Sequence, residues 1–124
     1  MSLLLDTHVV LWWLTDDPTL SDEIKNRLDH DPDVYVSSAT IWEVTIKQSA
    51  GKLTEPTDLP ERIRDSGFAA LPINSEHAIA AGRLPIIHRD PFDRMLVAQA
   101  RCEDLALVIR DPHGQKYEVA VLPA

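Results

Sequence analysis

Short apolar runs alternate along this chain with stretches whose apolar residues recur at helical spacing. Ser2 to Leu5 is a brief apolar run suited to a buried strand, and Val9 to Leu14 is a bulky apolar stretch that we assign to a helix, although periodicity alone does not separate the two. Beyond the break at Pro18, Leu20, Ile24 and Leu28 form one helical stripe ending near His30, with Thr19 and Asp22 placed as a capping pair. Val34 to Ser37 reads as a second strand. Ser38 is expected to cap a helix running to Ala50, and Gly51 to supply a left-handed residue beyond it. Pro56 and Pro60 punctuate a loop before a short polar helix from Glu61 to about Ser66. Phe68 to Ile73 reads as a third strand, interrupted or ended by Pro72, and Ser75 opens a small helix ending near Gly82. In His88-Arg-Asp-Pro-Phe-Asp-Arg94, Asp90 is a good N-cap and Pro91 fits the first helical position. Asp93 then sits against the positive end of the dipole of a helix reaching Asp104. Leu105 to Ile109 and Glu118 to Leu122 complete the strands.

This order predicts an α/β fold, a three-layer α/β/α sandwich around a central, mostly parallel sheet of about five strands. Right-handed crossovers put the strand C-termini on one edge, and the loops at the reversal of strand order border a ligand crevice. Asp6 and Asp111 follow two such strands, while Glu43 and Asp93 join from the N-terminal ends of helices. With 124 residues, 44% of them apolar, the chain fits a single domain spanning 1–124, and it contains no internal repeat or linker.

Composition narrows the function. The longest apolar run, Val9 to Leu14, falls far short of the roughly 20 residues of a membrane span, and the first residues have no cationic lead. A cytoplasmic protein without membrane attachment is expected. The single cysteine, Cys102, cannot form an internal disulfide and reads as a helix residue rather than a nucleophile. A net charge of −8 argues against a general nucleic-acid surface. Two bound divalent cations would halve that charge and leave the molecule acidic. A polyanion must therefore be held locally, by metal and by cations such as Lys47, Lys52, Arg89, Arg94 and Arg110.

Carboxylates converging at one end of a sheet suit a hard cation such as Mg²⁺ or Mn²⁺, which takes oxygen ligands in an octahedral shell. Each acid also has a purely structural reading. Asp6 can cap the helix beginning at Thr7, and Glu43 can form an i,i+4 pair with Lys47 worth about 0.3 to 0.5 kcal/mol. Asp93 can be a first-turn acid beside Asp90, and Asp111 can open a turn before Pro112. Thr7 and Ser38 are capping residues or supports for the carboxylates or a phosphate; Arg94 is a phosphate grip or a solvated helix end. The histidines lack paired zinc-ligand spacing. Trp12, Trp13 and Trp42 are expected to pack in the core. Only the conjunction of the acids raises the metal site above these alternatives.

Asp6-Thr-His-Val-Val-Leu-Trp-Trp13, then Val36-Ser-Ser-Ala-Thr-Ile-Trp-Glu-Val44 with Lys47 and Gly51-Lys-Leu53, then His88 to Arg94, and finally Leu107-Val-Ile-Arg-Asp111 resemble the successive motifs of a PIN domain. In particular they resemble the ribonuclease toxins of VapBC toxin-antitoxin modules, over nearly the whole chain. The resemblance implies a Mg²⁺- or Mn²⁺-dependent endoribonuclease that cleaves RNA and is neutralised by a cognate antitoxin; apolar helix surface can support a homodimer or receive an antitoxin segment. It makes Asp6, Glu43 and Asp93 the principal acids and Asp111 the fourth. Asp90 rivals Asp93 for the third place; we favour Asp93, which directly precedes the apolar helix, because Asp90 has a sufficient role as cap. Ile109 stands where Thr or Ser is usual and Gly114 where an aromatic is common. These departures keep open an alternative, a non-catalytic PIN-like module that binds protein or RNA. A phosphohydrolase or phosphorelay domain built on Asp6 is discounted: Asp6-Thr-His lacks a second Asp, and no Lys follows the last core strands.

Overall fold

The computed structural model describes residues 2–86, 90–110 and 119–124. Its elements run β1 (Leu3–Leu5), α1 (Thr7–Leu14), α2 (Asp22–His30), β2 (Val34–Ser37), α3 (Ser38–Ser49), α4 (Leu59–Asp65), β3 (Ala69–Leu71), α5 (Ser75–Arg83), α6 (Pro91–Cys102), β4 (Ala106–Ile109) and β5 (Val121–Pro123). The five strands form one sheet in the order β3-β2-β1-β4-β5, and every pairing is parallel.

Period-two alternation on the buried strand β1 divides the core between two faces. Leu3 and Leu5 pack with Val9, Val10, Leu28, Val44 and Ile63, so α1 to α4 cover one side of the sheet. Leu4 points the other way, into a cluster with Ala81, Leu96, Val97 and Ala100 of α5 and α6. The result is the expected three-layer sandwich. The chain winds outward from β1 to β3, then returns to β4 on the other side of β1, so the order reverses between β1 and β4. Leu5 pairs with Val108 there, and the Asp6 N–H donates to the Val108 carbonyl at 3.0 Å, fixing the first residue beyond β1 at the reversal.

Helix starts differ from the sequence expectations by small steps. Ser37, not Ser38, caps α3: its hydroxyl accepts the Ala39 N–H at 3.0 Å, and Ser38 is the first helical residue. Ser21 rather than Thr19 caps α2, by accepting the Ile24 N–H at 3.3 Å. Helix α4 begins at Leu59, earlier than Glu61, because Pro60 is tolerated in a first turn where no N–H partner is needed. Asn74 caps α5 in a reciprocal box with His77, whose Nδ1 accepts the Asn74 N–H. The remaining His77 proton therefore sits on Nε2, 2.9 Å from Glu103 Oε1, which ties α5 to the end of α6. Gly51 takes the left-handed conformation (φ 72°) after α3 as expected. Strand β3 is shorter than Phe68 to Ile73, and β5 comprises Val121–Pro123. The expected start of the fifth strand at Glu118 lies outside the described residues, as do His88, Arg89, Asp111 and Gly114.

Leu5 is fully buried between the sheet and the α1 side, so Leu5→Ala should cost about 2–5 kcal/mol, whereas Ile79→Ala at an exposed position should stay within about 0.5 kcal/mol. Urea unfolding of both variants checks this.

Candidate active site

Two buried carboxylates stand at the C-terminal edge of the sheet. Asp6 immediately follows β1 and is 4% exposed; Glu43 projects from the second turn of α3 and is 8% exposed. Thr7 joins them. Its hydroxyl donates to Glu43 Oε1 at 2.8 Å and lies 3.1 Å from the Thr40 hydroxyl, while its backbone continues directly from Asp6. Thr40, fully buried, was not singled out in the sequence. The available signal was its spacing, one turn before Glu43 on the same helix face.

Asp6 also performs the structural role foreseen for it, because its carboxylate accepts the His8 N–H at 3.2 Å and caps α1. Positive charge gathers around both acids. His8 Nδ1 lies 3.5 Å from Asp6 Oδ2, and Lys47 Nζ lies 3.1 Å from Glu43 Oε2. The imidazole pKa is raised above its ordinary value, chiefly by the hydrogen bond to Asp6. Desolvation and the Lys47 charge oppose the shift, and the charges of Asp6 and Glu43 support it. One imidazole thus senses Asp6, Glu43 and Lys47 together.

Asp93, named in the sequence as a further acid, is carried by a different element, α6. Asp90 caps α6 by accepting the Phe92 and Asp93 N–H groups at 2.8 and 3.2 Å, with Pro91 at the start of the helix. Asp93 is half-buried in the first turn. The Phe92 ring meets Trp42 edge-on at 5.2 Å, so the residue before Asp93 touches the residue before Glu43. Asp111, directly after Arg110 at the end of β4, lies outside the described residues.

Other side chains named in the sequence have structural partners. The Arg94 guanidinium donates to the carbonyls of Ala81, Leu84 and Pro85, closing the C-terminal end of α5. Arg110 stacks 4.8 Å from the centre of the Trp12 ring and donates to the Ala124 and Thr19 carbonyls. Trp12 and Trp13 pack against the core, but Trp42 is 60% exposed, contrary to expectation. The inward face of α3 is taken by Ala39, Thr40, Glu43 and Val44, which leaves the indole on the outer face with Ile46. Cys102 ends α6 half-buried, and desolvation, with Glu76 and Glu103 nearby, pushes its thiol pKa up, away from nucleophilic chemistry.

The donor set suits a hard cation. Asp6 and Glu43 offer only oxygen, are withdrawn from solvent, and already draw Lys47 and His8 toward themselves. Among the described residues no group of three or more His, Cys, Asp and Glu is close enough to enclose an ion. No helix among the described residues is long and apolar enough to cross a membrane.

The PIN domain family model matches residues 3–119, and the chain belongs to that family. No curated protein matches it. Among solved structures, it is similar to the DNA-bound VapBC of Salmonella typhimurium (TM-score 0.74, 18% identity, covering 99% of this chain and 98% of that one). VapBC2 of Rickettsia felis bound to a promoter DNA fragment gives a TM-score of 0.75 at 13% identity, with 99% and 98% covered. FitAcB of Neisseria gonorrhoeae gives 0.67 at 23%, with 97% and 96% covered.

Because the folded-state pKa of His8 lies above its unfolded value, the His8–Asp6 contact stabilises the fold fully below about pH 6.5 and loses that contribution as pH rises through the raised value. In metal-free buffer the stability advantage of wild type over His8→Gln should therefore be larger at pH 5.5 than at pH 8.5. Urea melts at both pH values measure it; a difference that grows with pH would contradict it.

Proposed function

We propose that the protein is a metal-dependent endoribonuclease and the toxin of a toxin-antitoxin pair, related in kind to the VapBC proteins that share its fold. The observation that carries this reading is the buried Asp6–Thr7–Glu43 arrangement at the strand reversal of a PIN domain chain, the place where open parallel sheets bind their ligands. Asp6, Glu43 and Asp93 would hold Mg²⁺ or Mn²⁺, and Asp111 would complete the set. A bound divalent ion supplies activated water and charge stabilisation for an in-line displacement at a phosphodiester.

The residues of the chain have separate tasks in this scheme. Thr7 fixes the rotamer of Glu43 through Oε1, Thr40 supports the Thr7 hydroxyl, and the backbone of β1 and β4 holds Asp6. Asp90, engaged as cap, orients the first turn from which Asp93 projects. A strongly acidic surface gives little general affinity for RNA, so substrate is held at the crevice itself, and single-stranded loops are the accessible targets. The cognate antitoxin and a second copy of the chain are the expected partners. The exposed Trp42 and Ile46 offer apolar surface for such contacts.

Incubating purified protein with total RNA should give discrete cuts with Mg²⁺ or Mn²⁺ and none with EDTA. Folded Asp6→Asn, Glu43→Gln and Asp93→Asn variants should each lose about a hundredfold or more, the upper end of what removing a partner one shell further out costs. Thr7→Val should lose about 10- to 100-fold on the same ground. Cuts made equally by wild type and the three acid variants would refute the assigned site. Absence of both cleavage and metal affinity would favour a non-catalytic binding module.

A further inference from the structure

We infer that Lys47 is a resident counter-ion of Glu43 that competes with the divalent cation, and so sets how much metal the crevice needs before it fills. The inference rests on the proposed role of Asp6 and Glu43 as a cation site. Both oxygens of Glu43 are engaged: Oε1 accepts the Thr7 hydroxyl at 2.8 Å, and Oε2 faces the Lys47 ammonium at 3.1 Å. Glu43 and Lys47 are one turn apart on α3, so the pair forms whenever the helix does.

The two partners differ in their access to water. The Glu43 side chain is 10% exposed and the Lys47 side chain 37%. An ammonium on a flexible stem can swing into solvent without disturbing the helix, whereas the carboxylate is fixed by Thr7 and has nowhere else to go. An ion ligated through Oε2 must take the position next to that oxygen, and a lysine remaining beside it repels it. An ordinary surface pair has no such consequence, because neither of its members is also a buried ligand. The single contact to Oε2 leaves Oε1 with Thr7, so the ammonium neutralises Glu43 without rotating it.

Removing one positive charge about 6 Å from a divalent ion, at water-like screening, corresponds to about a tenfold gain in affinity. Calorimetric titration of Mn²⁺ into the metal-free protein tests this, comparing wild type with Lys47→Met, which keeps the stem, and Lys47→Arg, which keeps the charge. Near-UV circular dichroism monitors folding, and Lys47→Gln replaces Lys47→Met should the latter not fold. Lys47→Met should bind Mn²⁺ about tenfold more tightly and melt at a lower temperature than wild type when metal-free, while Lys47→Arg stays close to wild type in affinity. Equal or weaker Mn²⁺ binding by the uncharged variants would overturn the role of Lys47. If Glu43→Gln abolishes binding and Lys47→Met leaves it unchanged, only this inference falls. If wild type itself binds no Mn²⁺, the cation site falls with it.

Discussion

Negative charge buried at the end of an apolar sheet is the constraint on which the rest of the crevice depends. A carboxylate withdrawn from water is costly unless it is hydrogen-bonded and met by opposite charge. Asp6 and Glu43 satisfy both conditions locally, Asp6 with the first turn of α1 and His8, Glu43 with Thr7 and Lys47. His8 and Lys47, whose side chains reach solvent, are mobile enough to yield. The hydroxyl of Thr7 is the rigid part: Thr7 follows Asp6 directly in the chain and donates to Glu43.

The fold supplies the concentration of charge without any long excursion of the backbone. Reversal of strand order between β1 and β4 leaves Asp6 and the start of α1 at the junction of those two strands, and α3 begins at the end of the neighbouring strand β2. Leu3, Leu4 and Leu5 are completely buried and hold β1 in register with β4. A shift of that register would turn the leucines to the wrong faces and carry Asp6 away from that junction. Stability of the central strand and geometry of the site are therefore one property. On the opposite side, Asp90, Pro91 and Arg94 define how α6 starts and how it meets α5, which fixes where Asp93 stands.

Much of this was legible from the residues. Strand β2 follows directly from Val34 to Ser37, the start of α6 from Asp90-Pro91, and the left-handed turn from Gly51. The parallel sheet follows from the alternation of elements. What escaped has identifiable causes. Adjacent serines at 37 and 38 are equally able to cap, and the choice depends on which backbone angle the preceding strand leaves. Trp42 misled because hydrophobicity was equated with burial. On α3 the inward face is partly polar, since Thr40 and Glu43 belong to the site, and the indole is displaced outward. The same inversion hid Thr40. The pairing of Glu43 with Lys47 was visible as spacing, but not that one member is buried and the other free to leave.

Crystals of the protein soaked in Mn²⁺ and measured at the manganese absorption edge test the central claim most directly. An anomalous peak within about 2.5 Å of carboxylate oxygens of both Asp6 and Glu43, in the range of direct oxygen ligation, is the predicted result. A peak only elsewhere, or none while Lys47 remains on Glu43 at saturating Mn²⁺, would contradict the account.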